Sequence, residues 1–62
     1  MRLENWHIEE VSSGKYWVTG HVFDNPQQTQ GKYIHTSLIK TLDLVNKKVQ
    51  TTMNIYELGE PK

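Results

Sequence analysis

Lys15-Tyr16-Trp17-Val18-Thr19-Gly20-His21-Val22-Phe23 decides how the rest of the chain is read. The stretch is dense in aromatic and β-branched residues, which fit a pleated, half-buried surface. Ser12-Ser13-Gly14 punctuates it before, and Asp24-Asn25-Pro26 after. It reads as a β-strand and as the spine of the domain. Side chains along a strand part to two faces. Trp17, Thr19, His21 and Phe23 go one way; Tyr16, Val18, Gly20 and Val22 go the other. Both sets carry apolar groups, so the strand is expected to be covered on both sides or curled into a barrel. Gly20 in mid-strand marks a bend, a bulge or a close backbone approach.

Working outward, Leu3 to Val11 alternates Trp6 and Ile8 with His7 and Glu9, the period of a strand. Trp6-x-Ile8-x-x-Val11 also nearly fills one face of a short helix. Strand is preferred because Ser12-Ser13-Gly14 then closes a hairpin into the spine. On the other side, Asp24 to Lys32 is a polar loop, bracketed by Pro26 and Gly31 and holding Gln27, Gln28 and Gln30. Tyr33-Ile34-His35 resumes extended character. Beyond it two readings compete. Thr36-Ser37 caps a short helix at 37–45 with Leu38, Leu42 and Val45 on one stripe, or β-branched Ile39, Thr41 and Val45 make a strand that turns at Asn46-Lys47-Lys48. The strand is favoured. The last strand is expected to run from Val49 to Leu58, with a change of phase at Tyr56 that signals a bulge or double coverage. Residues 60–62 read as a flexible tail on a single domain spanning 1–59.

The expected architecture is therefore all-β: a small five-stranded, SH3-like, partly open barrel, or a meander. A chain of 62 residues buries only about 60% of its unfolded surface and is marginally stable alone. With no cysteine, disulfides and thiolate zinc sites are excluded. Association with a second copy then buries more apolar surface, and a homodimer is expected. No run of apolar residues approaches the roughly 18 of a membrane span, and Met1-Arg2-Leu3-Glu4 lacks the apolar segment of a signal peptide. The chain reads as cytoplasmic.

Chemistry is sparse. His7, His21 and His35 lie on three different expected strands, and no two have the close spacing of a local metal site. Ser37, a histidine and Asp43 form no strand-turn-helix elbow. Glu9 and Glu10 are sequence neighbours that point to opposite sides of a strand, and Gly14, Gly20, Gly31 and Gly59 are too scattered for a phosphate loop. The expectation is no enzyme, no metal and no cofactor. Seven basic against seven acidic side chains give zero net charge, without the basic excess that phosphate binding needs. Two binding readings remain. In the first, Gln27, Gln28, Gln30, Lys32 and Tyr33 contact a protein from the loop and the strand after it. In the second, Lys15, Tyr16, Lys32, Tyr33, Lys47 and Lys48 bind RNA or single-stranded DNA, with tyrosines as stacking platforms beside cations.

One pattern reaches across most of the chain, residues 17–59: Val18-x-Gly20-x-Val22, Pro26, Gly31-x-x-Ile34-x-Thr36-Ser37-x-Ile39, Asp43, Val49-x-Thr51 and Tyr56-x-Leu58-Gly59. It resembles that of short proteins of bacteriophages, prophages and other mobile elements. The resemblance implies a protein that binds and blocks a bacterial host protein, including components of anti-phage defence. The chain departs from the pattern at Thr52-Met53-Asn54-Ile55, where glycine is typical.

Overall fold

The computed structural model describes residues 1–62. Its elements are β1 (Arg2–Ser12), β2 (Lys15–Phe23), β3 (Lys32–His35), β4 (Ile39–Asp43), β5 (Lys48–Thr51) and β6 (Ile55–Leu58). They form one six-stranded sheet in the order β3-β2-β1-β6-β5-β4. The all-β expectation holds, but the sheet has six strands rather than five and leaves β3 and β4 as edges. β2 and β4 are far apart in that order yet touch, so the sheet is strongly curled.

β1 and β2 make the hairpin that the spine predicted, with Arg2 opposite Phe23 and Ser12 opposite Lys15. Between Glu4 and His7 the register slips, and Asn5 and Trp6 together face Gly20. This is a β-bulge. Asn5 sits at φ 53, the left-handed region that Asn tolerates better than most residues. The bulge shifts the phase of β1, so that both Leu3 and Trp6 reach the core side. It also explains Gly20. A Cβ there would lie 3.0 Å from the Trp6 Cβ and 3.1 Å from the Glu4 carbonyl oxygen.

Of the two readings of 37–45 the favoured strand holds and the helix is absent: β4 runs from Ile39 to Asp43, antiparallel to β5. Thr36 and Ser37 sew the β3–β4 connection down instead of capping a helix. Thr36 Oγ1 accepts from the Val18 amide at 3.1 Å, and Ser37 Oγ accepts from the Met53 amide at 3.1 Å. The single strand from Val49 to Leu58 is two, β5 and β6, joined by a turn in which the Thr51 hydroxyl donates to the Asn54 carbonyl at 2.9 Å and accepts from the Asn54 amide at 3.0 Å. That turn causes the change of phase seen in the sequence. Finally, residues 60–62 are hydrogen-bonded along β1 rather than hanging free. The Asn5 amide donates to the Glu60 carbonyl and the Lys62 amide to the Trp6 carbonyl, both at 2.7 Å. They prolong the parallel pairing of β6 with β1 past the bulge.

The core is thin. Leu3, Val18, Val22, Val49, Tyr56 and Leu58 are buried, with Met1, Trp6, Ile34 and Ile39 packed against them. Each such aliphatic side chain contributes about 1.5–3 kcal/mol, against a total stability of roughly 5–15 kcal/mol for a typical domain.

Candidate functional site

Because Val18, Gly20 and Val22 face the core, their neighbours on β2 must face the other way. Register carries this across three strands. Phe23 lies beside Arg2; His21 lies between Glu4 and Tyr33; Thr19 lies between His7 and His35; Trp17 lies beside Glu9. The outer face of β1–β2–β3 thus gathers aromatic, histidine and carboxylate side chains into adjoining rows. All three histidines of the chain are on it.

The face is ordered by its own contacts. The Glu9 carboxylate accepts from the Thr19 hydroxyl at 2.5 Å and the Trp17 indole at 3.0 Å, and lies 3.2 Å from His7 Nε2. Thr19 is buried between the flanking strands, which places its hydroxyl without freedom to swing away. These donors, Thr19 first, then Trp17 and His7, lower the Glu9 pKa to about 2. The Trp17 ring stacks on the His35 ring, centroids 3.9 Å apart and planes at 21°. His21 Nδ1 is 2.9 Å from the Gly31 carbonyl oxygen, and its ring tilts against Tyr33 at 5.0 Å. The Arg2 guanidinium lies 4.9 Å over the Phe23 ring and forms ion pairs with Glu4 at 2.6 Å and Asp24 at 3.3 Å.

The loop candidates adjoin one end of this face. The Gln27 amide donates to Asn25 Oδ1 at 3.0 Å and the Gln28 amide to the Asn25 carbonyl at 3.1 Å, an Asx-type turn. Gln30 is used internally, since its Oε1 accepts from the Asp24 amide at 2.7 Å. Asp24, Asn25, Pro26, Gln28 and Gln30 line an open hollow of about 430 Å³. Lys32 and Tyr33 follow directly on β3, so Gln27, Gln28, Gln30, Lys32 and Tyr33 form one neighbourhood.

The nucleic-acid candidates are not brought together. Lys15 and Tyr16 begin β2 at the hairpin tip, whereas Lys32 pairs with Val22 near its other end. Seven residues of strand separate them, roughly 23 Å. Tyr16 shares the face of Val18, and Tyr33 the opposite one. Lys47 and Lys48 stand on the β4–β5 hairpin, a third location. No group of three His, Cys, Asp or Glu side chains is placed to hold a metal ion.

The sequence alone did not single out Arg2, Glu9 or Trp17 for the candidate site, and His7 and His35 were weighed there only as metal ligands. The outward set on β2 was visible, but the flanking strands could not be aligned to it without knowing the bulge and the β2–β3 register. Comparison with protein-family models, with curated proteins and with solved structures finds no match to this chain.

Proposed function

We propose that the protein is a non-enzymatic protein-binding module whose contact surface is the outer face of β1–β2–β3 together with the loop 24–31. The observation that carries this reading is the braced face itself, in which Trp17, His35 and Tyr33 are held by stacking and by the Glu9 hydrogen bonds. Aromatic and arginine side chains are the residues that anchor protein interfaces. Holding them in place before contact reduces the ordering cost of binding. The resemblance to short phage and mobile-element proteins supports a bacterial host protein as the partner, a defence component included.

The test is capture from bacterial lysate with the wild-type chain, Trp17→Ala and Tyr33→Ala side by side. Partners retained by the wild type and lost by both variants support the reading. Equal recovery by all three, or recovery of nothing specific, contradicts it. A homodimer belongs to the same proposal. Exposed Leu44 and Val45 on the β4–β5 connection are the apolar surface that a second copy would cover. A solution mass of one 7.3 kDa chain at high concentration would contradict that part.

A further inference from the structure

Charge on the outer face of β1–β2–β3 is unevenly matched. The face holds Glu4, Glu9 and Asp24 against Arg2, with Lys15 beyond Trp17 at the hairpin tip. Lys32 points to the other face, because it stands opposite buried Val22. Arg2 serves two of the three carboxylates, Glu4 at 2.6 Å and Asp24 at 3.3 Å. Glu9 has no lysine or arginine within ion-pair distance. Its donors are Thr19, Trp17 and His7. They place the carboxylate and hold its pKa near 2, so it stays negative at physiological pH. It is also within reach, since the Glu9 side chain is 47% exposed. A carboxylate has about four lone-pair positions, so these donors leave it room to accept again.

The same face shows what completes such a site. At its Phe23 end the Arg2 guanidinium lies 4.9 Å over an aromatic ring, with Glu4 and Asp24 as its counter-charges. At its Trp17 end the matching parts are present: the Trp17–His35 stack and the Glu9 carboxylate bonded to its indole. No lysine or arginine of the chain is seated there. Tyr33, 52% exposed, stands in the row between the two ends.

We infer that this face takes a basic segment of a partner protein, with an arginine side chain seated on the Glu9 carboxylate at the edge of the Trp17–His35 stack. The inference rests on the protein-binding reading and names the partner's chemistry. A guanidinium makes charge-assisted hydrogen bonds to a carboxylate and is attracted to aromatic rings. Its planar fork suits a carboxylate beside a ring better than a lysine ammonium does. Thr19 is buried, so the hydroxyl that holds Glu9 is fixed before contact, which lowers the ordering cost of binding. The same charges select against other partners. An acidic segment, or the phosphates of a nucleic acid, would meet Glu4, Glu9 and Asp24 with like charge.

The test uses the intact chain in low salt at about pH 7.5, above the ordinary histidine range, with three fluorescein-labelled ligands read by anisotropy. They are a peptide alternating Arg and Ser, a peptide alternating Glu and Ser, and a single-stranded thymidine oligonucleotide. The arginine peptide is expected to bind, and the other two are not. Glu9→Gln should weaken that binding about fivefold. Glu10→Gln should leave it unchanged, because Glu10 stands opposite Tyr16 on the other face. If Glu9→Gln alters the circular dichroism, the two indole N–H signals of the wild-type chain decide. The Trp17 indole, bonded to Glu9, should shift on adding the arginine peptide, while the Trp6 indole, bonded to the Gly59 carbonyl at 2.9 Å, should stay. No binding of the arginine peptide, equal binding of the acidic peptide or the oligonucleotide, equal loss in Glu9→Gln and Glu10→Gln, or an unmoved Trp17 signal overturns the proposal. Because these ligands need no cellular partner, failure here leaves the lysate experiment standing. Unchanged capture by Trp17→Ala and Tyr33→Ala with normal arginine-peptide binding removes the broader reading alone.

Discussion

The two halves of the sheet are built differently. In β1–β2–β3 the strands are joined by long register and by side chains that hold one another across it: Glu9 to Thr19 and Trp17, Trp17 to His35, His21 to Tyr33. In β4–β5–β6 the strands are four or five residues long, and the order lies in the turns. Asp43 accepts from the Asn46 amide and side chain, contacts that lower the Asp43 pKa, and Thr51 closes the β5–β6 turn. Apolar side chains at the tips of this half project into solvent, Val45 at 91% and Met53 at 76% exposure. One half spends its polar groups fixing a surface; the other spends them fixing its own bends. Preorganised aromatic side chains on a rigid element lower the ordering cost of any contact they make, and only the first half has them.

The comparison breaks most readily at the seam. Leu3 is fully buried on β1, the strand that pairs with β2 on one side and β6 on the other. Leu3→Ala should destabilise both halves together, by about 2–5 kcal/mol, read as one cooperative shift in urea unfolding. Two separate transitions would show that the halves fold independently. Next in size is Gly20→Ala. The added methyl would press on the bulge backbone at Glu4 and Trp6, costing about 1–3 kcal/mol. A neutral result would mean that the bulge yields easily.

A smaller effect sharpens the contrast. The Glu9 pKa is lowered from 4.5 to about 2 in the folded chain. A depressed carboxylate stabilises the fold above its unfolded pKa, and that contribution fades as the pH drops from about 4.5 toward 2. Glu9→Gln should therefore lower the thermal midpoint at pH 7 and match the wild type near pH 2, since the exposed, solvent-screened carboxylate matters only while ionised. A constant gap across that range would assign the loss to packing instead. The smallest effect is expected at the opposite tip. Val45→Ser should change stability by less than about 0.5 kcal/mol and leave partner capture intact.

The fold class was legible because its signals are local. The aromatic and β-branched spine, the Ser12-Ser13-Gly14 turn and the alternation from Val49 to Thr51 each state strand or turn within a few residues. The β5–β6 turn was half legible. The change of phase at Tyr56 was visible, but Thr52-Met53-Asn54 lacks the glycine or proline that announces a bend, because the Thr51 hydroxyl does the turning. Residues 60–62 misled by composition: Gly59, Pro61 and terminal position suggest fraying, yet backbone pairing with β1 needs no side-chain signal. Part of the proposed surface was legible too: Gln27, Gln28, Gln30, Lys32 and Tyr33 stand where a loop meets a strand. Arg2, His7, Glu9, Trp17 and His35 emerged only from non-local register, which one slip at Asn5-Trp6 resets.

The most direct measurement is amide hydrogen exchange of the chain with and without its captured partner. Added protection is expected over 17–22 and 31–35, with no change over 42–55. Protection confined to 44–45 and 53–55, with the β1–β2–β3 half unaltered, would contradict it.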